Sequence, residues 1–276
     1  YNRIDVFNKF IEQMEAQTNQ EYRLVVVDHG KVKTEYKKDN AIIIESNVNG
    51  WSYAINIGIR YVLNSESVVD SDYILVINDD VIMERDYIDN VYKSIKARPS
   101  SLIGSGCYDC DTGKVLHVNM MLQKRKAVFY YYNLEKTRAE LKADFYESDV
   151  LKGRGTVIPV FVLKNIGIYA EERLPHYRAD HELVWRAKKN SYDVCVSSRM
   201  WLGAKLDSPN VFKAQRSLKQ NYKALFFDMI STQNLKDLWN YSFSCFGKIY
   251  GFYFFVINCL RFHLLFIKNY IRKRND

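Results

Sequence analysis

Tyr73-Ile-Leu-Val-Ile-Asn78-Asp79-Asp80 runs from five apolar residues directly into an amide and two carboxylates. So short and continuous an apolar run predicts a strand buried on both faces. Adjacent carboxylates at its end repel each other, and a divalent cation with oxygen ligands offsets that repulsion. The plainer alternative is a turn in which Asp80 caps the next helix.

The neighbouring segments extend the pattern. Ile4, Phe7, Phe10, Ile11 and Met14 recur at helical spacing, and Tyr22-Arg-Leu-Val-Val-Val-Asp28 follows as a strand ending in a carboxylate. Ala41 to Ile44 reads as a strand, Trp51 to Leu63 as a helix, and Tyr87 to Ile95 as a helix that stops before Pro99. Such alternation predicts an α/β fold with a mostly parallel, Rossmann-like sheet covered by helices on both faces. In such sheets ligands bind beyond the carboxyl ends of strands, where Asp28 and Asn78-Asp79-Asp80 fall. There is no GxGxxG and no GxxxxGK[ST], so neither a dinucleotide turn nor a P-loop is on offer.

After Pro99, strands are expected at Leu102 to Gly106, Val115 to Leu122, Val157 to Leu163 and Val194 to Ser197, with a helix from about Asp180 to Asn190. That helix opens Ala179-Asp-His-Glu-Leu-Val-Trp-Arg186. Asp180 and Glu182 there either complement the helix dipole or supply a general base. In Asn47-Val-Asn-Gly-Trp-Ser-Tyr-Ala-Ile-Asn56-Ile-Gly58, backbone amides at a helix start could meet an anion, or the glycines could serve turns and packing.

With 276 residues, the chain is long enough for one large domain plus an appendage at ~150 residues per domain. Hydrophobic residues at 47% and charged at 26% exclude a disordered or collagenous chain. Five cysteines, with Cys107 and Cys110 as a lone CxxC pair, form neither a disulfide framework nor a zinc motif, and a reducing cytoplasm is expected. The net charge is +8, and residues 211–276 carry all of it, with eleven Lys and Arg against three Asp. The remaining body is neutral, which excludes a nucleic-acid-binding surface on the fold.

Taken in order, these segments resemble a family 2 glycosyltransferase of the GT-A fold, most similar to bacterial surface-polysaccharide and rhamnosyltransferase-like enzymes. Tyr1-Asn2-Arg3 resembles the end of the family's TYNR segment, Val25 to Gly30 its VVDNGS strand end, and Asn49 to Gly58 its NxGxxxAxNxG stretch. Asn78-Asp79-Asp80 matches the DXD-type motif, Asp111-Thr-Gly113 a DxxG turn, and Asp180 with Leu183 and Arg186 the EDVDLxxR helix. The resemblance implies an inverting, metal-dependent transfer from a UDP-, dTDP- or GDP-sugar to a glycan or lipid-linked acceptor. It assigns Tyr1, Asn2, Arg3, Asp28, Asn56 and Asp79 to the nucleotide, Asp80 with Asp79 to Mn2+ or Mg2+, and Asp180 to the catalytic base. Ala179 stands where the family usually has Glu, which makes Glu182 a substitute carboxylate; the family's His after the last strand is absent between Met200 and Leu206. The family also has a strand before TYNR, so the sequence is expected to begin inside the natural domain. A catalytically impaired sugar-nucleotide-binding scaffold and a nucleotidyltransferase are the competing readings.

The expected organisation is a catalytic domain over 1–210 and a basic, aromatic-rich helical tail over 211–276. Its longest uncharged run, Ile249 to Leu260, is short of the ~20 residues needed to span a bilayer. Asn258, Arg261, Lys268 and Arg272 fall on one stripe of a helix whose other positions are apolar. That pattern suits a helix lying on the cytoplasmic face of the plasma membrane, or one packed on the catalytic domain or on a second copy in a homodimer. On the membrane reading, a chain ending near Asn234 would keep donor binding.

Overall fold

The structure is a computed structural model and describes residues 4–30, 36, 38–134, 136–205 and 216–275. Helix α1 (Ile4–Glu15) turns Phe7, Phe10, Ile11 and Met14 inward. Strands β1 (Leu24–Asp28) and β2 (Ala41–Glu45) pair in parallel as a separate sheet, with Leu24 opposite Ala41 and Asp28 opposite Glu45. Helix α2 (Trp51–Leu63) lies against β1, bringing Gly58 up to Val27 and Val25.

The main sheet takes its strands from the rest of the chain: β3 (Tyr73–Val76), β4 (Ile82–Met83), β5 (Leu102–Asp109), β6 (Val115–His117), β9 (Phe145–Glu147), β10 (Thr156–Pro159) and β11 (Val194–Ala204). Their order is β3-β10-β5-β11-β4, with β6 on β5 and β9 on β11. Helices α3 (Tyr87–Ala97), α4 (Val160–Ile166) and α5 (Ala179–Lys189) complete the α/β body.

The fold is α/β as the sequence predicts, but its pairing is more mixed than helix-strand alternation suggests. β5 and β11 run parallel, whereas β10 is antiparallel to both β3 and β5. The cause is the excursion after β5, which includes the hairpin of β7 (Met120–Gln123) and β8 (Val128–Tyr131). The chain re-enters the sheet near the end where β5 finished and must run back against it. Two local expectations also change. The strand expected over Val157 to Leu163 stops at Pro159, beyond which Val160–Ile166 is helical. The run Val115 to Leu122 divides into β6 and β7.

The C-terminal residues are helical in two elements, α6 (Leu218–Phe227) and α7 (Leu235–Asn275). Ser217 caps α6 by accepting the Gln220 N–H, and Gln220 returns a bond to the Ser217 N–H. By length and composition Leu235–Ile271 is apolar enough to cross a bilayer, more than the uncharged run alone indicates. It is not straight, however. Gly247 adopts φ 72°, ψ −168°, a conformation open chiefly to glycine, and the helix folds back there. Trp239 and Phe255 rings consequently lie 5.0 Å apart, where a straight helix would separate sixteen residues by ~24 Å.

The first arm is part of the body. Leu238, Tyr241 and Cys245, with Phe254 of the second arm, belong to the same buried cluster as Leu102 of the sheet and Leu183 and Ala187 of α5. Two members of the second arm's polar stripe, Asn258 and Arg261, bond to the body, whereas Lys268 is exposed. Asn258 donates to the Ala127 carbonyl at 2.9 Å, and Arg261 donates to that of Lys126 at 2.7 Å.

Candidate active site

The site is assembled at the edge of α2. Ser52, Asn56 and Arg60 are spaced four apart and form one polar side of that helix. Ser52 donates to the Leu174 carbonyl at 2.7 Å, and its N–H to that of Pro175 at 3.1 Å. Asn56 brackets Tyr169 through both backbone groups and also donates to Glu171, which pairs with Arg60 at 2.6 Å. This side of α2 fastens residues 169–175, which lead into α5. Asn56 was expected at the nucleotide. It is instead fully buried and commits both ends of its amide to Tyr169 and Glu171, so its role is to hold that segment. The N–H of Ser52, a candidate anion donor, is likewise taken by Pro175.

Asp28 ends β1 with its side chain buried, and its Oδ1 accepts the Gly30 N–H at 2.9 Å. His29 beside it lies in the field of both Asp28 and Asp79. Burial lowers its pKa, against the pull of those carboxylates. His176, delivered by the fastened segment, is close enough to His29 to feel its charge and is itself lowered chiefly by burial. Asp28 and Asp79 thus both act on the His29 imidazole, which burial, as at His176, biases toward the neutral form. Asp79 is half-buried and Asp80 exposed, just beyond β3. Tyr1, Asn2 and Arg3 lie outside the described residues.

A chain of contacts joins this end to Asp180. Trp51 donates its indole N–H to Asn78 Oδ1 at 3.1 Å, and its ring packs on Gly153, where a Cβ would come within 2.4 Å. Gly153 in turn donates its N–H to Asp180 Oδ2 at 2.9 Å, while Oδ1 accepts the His181 N–H. Burial alone would raise the Asp180 pKa. Lys152 and the two backbone N–H groups, joined by His181 in the acid range where its imidazole is protonated, outweigh it and hold the carboxyl below the ordinary range. Burial keeps the His181 and His117 imidazoles neutral, the latter pushed down to about 3.

Glu182, the substitute base, is placed differently. It is 3% exposed and gripped by Arg186 through Nε and Nη2, an ion pair of α5 that leaves no accessible oxygen for an acceptor. Arg178, just before α5, adopts a left-handed conformation at φ 67°. Its guanidinium donates to the Thr232 carbonyl at 2.6 Å, lies 5.9 Å from the Phe262 ring centre, and feels the charge of Asp237. The tail therefore holds the residue two before Asp180.

The carboxylates fit a hard divalent ion. Among the described residues no group of three His, Cys, Asp or Glu side chains is placed to share a metal. Two adjacent aspartates suit an ion whose remaining ligands are diphosphate oxygens and water.

Residues 1–160 match the sequence pattern of glycosyl transferase family 2. The chain belongs to this family. The GT-A fold agrees: a crystal structure of GalNAc-T7 with UDP, GalNAc and Mn2+ superposes with a TM-score of 0.54 at 10% identity, over 84% of this chain and 46% of that one. S. aureus TarS 1–349 gives a TM-score of 0.51 at 12% identity, over 89% of this chain and 78% of TarS 1–349. Its complex with UDP gives 0.51 at 14% identity, over 88% and 67%. The chain thus spans less than half the length of GalNAc-T7. No curated protein sequence matches it. The acidic run lies just beyond β3 and Asp180 in the first turn of α5, the places the sequence pattern gives them. Trp51, Lys152, His176 and Arg178 have no such signal in that pattern, because each reaches the site through a contact distant in sequence.

Proposed function

We propose that this family 2 glycosyltransferase transfers a sugar, with inversion, from a nucleotide sugar to a hydroxyl of a glycan or lipid-linked acceptor. The setting is bacterial surface-polysaccharide synthesis at the inner face of the plasma membrane. The observation that carries the reading is the contact chain Asn78-Trp51-Gly153-Asp180, which links the acidic strand end to a single ionised carboxylate. UDP is the favoured nucleotide, since GalNAc-T7 and TarS share the fold and have been crystallised with it.

Asp28 and Asp79 would face the nucleoside, and Asp79 with Asp80 would hold Mn2+ or Mg2+ against the diphosphate. Such an ion, when bound, offsets the negative charge that develops on the departing phosphate. Asp180 accepts the acceptor hydroxyl's proton as the new C1–O bond forms and the bond from C1 to the phosphate oxygen breaks. Its lowered pKa keeps it ionised at neutral pH, ready to take that proton. Trp51 fixes Asn78 at one end of the site and packs on the glycine that anchors Asp180 at the other.

The test is to incubate the protein with UDP-, dTDP- and GDP-sugars and Mn2+ or Mg2+, following thermal stability and product release. A ligand at 100 times its dissociation constant adds ~2.7 kcal/mol of stability. A metal-dependent shift with one nucleotide class, lost in Asp80→Ala, supports the assignment. Unchanged metal dependence in Asp80→Ala overturns it. Product NMR reading the anomeric configuration tests inversion.

A further inference from the structure

The second arm of α7 has one side docked on the body and the other bare. Ile249, Phe252, Leu260, Leu264, Ile267 and Ile271 recur at intervals that keep them on one side of the helix, and each is more than half exposed. Ile249 is 90% exposed. From Lys248 to Ile271 the arm is ~36 Å long at 1.5 Å per residue, so this is a continuous apolar strip. Its opposite side carries Phe254, Asn258 and Phe266, all buried against the protein. With Phe254, Asn258 and Phe266 turned to the protein, the apolar strip is the side of this arm open to a lipid surface.

A second element borders the strip. The turn Lys124-Arg125-Lys126, between β7 and β8, runs beside the arm with its side chains exposed. The arm holds this turn by its backbone: Tyr250 donates to the Lys124 carbonyl at 2.9 Å, Tyr253 to that of Arg125, and Arg261 to that of Lys126. Side-chain charge is therefore left available while the main chain is fastened. Lys268, four residues beyond Leu264, is exposed too, and Lys248 opens the arm. The strip is thus flanked by cations contributed by two elements far apart in sequence.

We propose that the second arm of α7 and the Lys124–Lys126 turn form one composite surface that binds an anionic lipid bilayer, apolar strip immersed and cations against headgroups. Charge complementarity selects this occupant. Two copies meeting through the strip would bring like-charged turns together, whereas an anionic surface meets both features. The inference deepens the peripheral location proposed above and does not depend on the transfer chemistry.

The experiment is co-sedimentation of the full chain with vesicles of phosphatidylglycerol and phosphatidylcholine, and of phosphatidylcholine alone, at low and high salt. Binding to the anionic vesicles that falls with salt is expected. Replacing Lys124, Arg125 and Lys126 together by Glu keeps the backbone bonds and should weaken partitioning roughly 100-fold or more. Leu264→Asp, at an exposed position, should weaken it without changing the melting temperature. Failure to bind anionic vesicles, or binding indifferent to both changes, overturns the proposal. So does a concentration-dependent dimer that Leu264→Asp dissolves, which would assign the strip to a second copy. Nucleotide-sugar binding measured on the same samples separates these failures from failure of the transferase reading.

Discussion

At Asp180, burial favours the neutral acid while Lys152, two backbone N–H groups and, once protonated in acid, His181 favour the carboxylate, and the second set prevails. A base whose pKa is depressed stays ionised throughout the neutral range. The acid limb of kcat/KM should therefore fall below the usual aspartate value of ~3.9, with no loss between pH 6 and 8 from this group. Asp180→Asn removes the acceptor of the proton; its remaining amide oxygen keeps one of the two backbone N–H bonds and the other N–H loses its partner. The substitution should lower turnover by roughly 100-fold or more while leaving the donor dissociation constant near native; equal loss of donor binding would show that Asp180 anchors structure instead. Asp237 is the opposite case. Burial raises its pKa from 3.8 to about 6, although Arg178 pulls it down. The folded state prefers the protonated acid, so this group's contribution is fully present below the unfolded value and is lost as pH rises through about 6. Asp237→Asn should raise stability by roughly 2 kcal/mol at pH 7.5, and by little at pH 4, in denaturation curves run at both values. Residue chemistry was legible in sequence where a carboxylate ends a strand or opens a helix. The bonds of the Asn56 amide leave no such trace, because its partners lie 113 and 115 residues away.

Among the elements, α7 shows what periodicity can and cannot reveal. Helical spacing of apolar residues correctly predicts helix on both sides of Gly247, because either arm alone satisfies the pattern. The fold-back leaves no trace in that pattern, since one glycine inside a helical run is also compatible with a straight helix. The inward turn of Asn258 and Arg261 follows from the same blindness. A polar stripe normally faces water, and only the free carbonyls of the Lys124–Ala127 turn reverse that expectation here. Gly247 is the device on which the hairpin depends. A Cβ there would meet nothing within 4 Å, so any cost of substitution is conformational and not steric. Gly247→Ala should lower stability by about 1 kcal/mol or more through the positive φ alone. A chemical-denaturation midpoint equal to the native protein's would show that the break is set by packing of the arms and not by this residue.

For the molecule as a whole, the question is whether the basic tail is an appendage or part of the core. Charge and composition divide the sequence sharply near residue 210, and division into a catalytic domain and a tail follows naturally from them. Packing does not respect that line. Leu238, Tyr241, Cys245 and Phe254 are each at most 5% exposed and share one cluster with the sheet and α5. At ~1.5–3 kcal/mol for each large apolar side chain buried, removing them withdraws several kcal/mol, comparable to the ~5–15 kcal/mol that keeps a domain folded. Arg178 would lose Thr232 only in part but Phe262 and Asp237 entirely, loosening the entry to α5 on which Asp180 depends. A chain ending at Asn234 should therefore be insoluble, or melt far below the full chain, and should not bind donor with native affinity. This outcome differs from what the tail's composition alone suggests. Thermal melts and nucleotide titrations of the two chain lengths decide the matter. A soluble body with a native-like melting temperature and an unchanged donor dissociation constant would mean that α7 merely rests on a core complete without it.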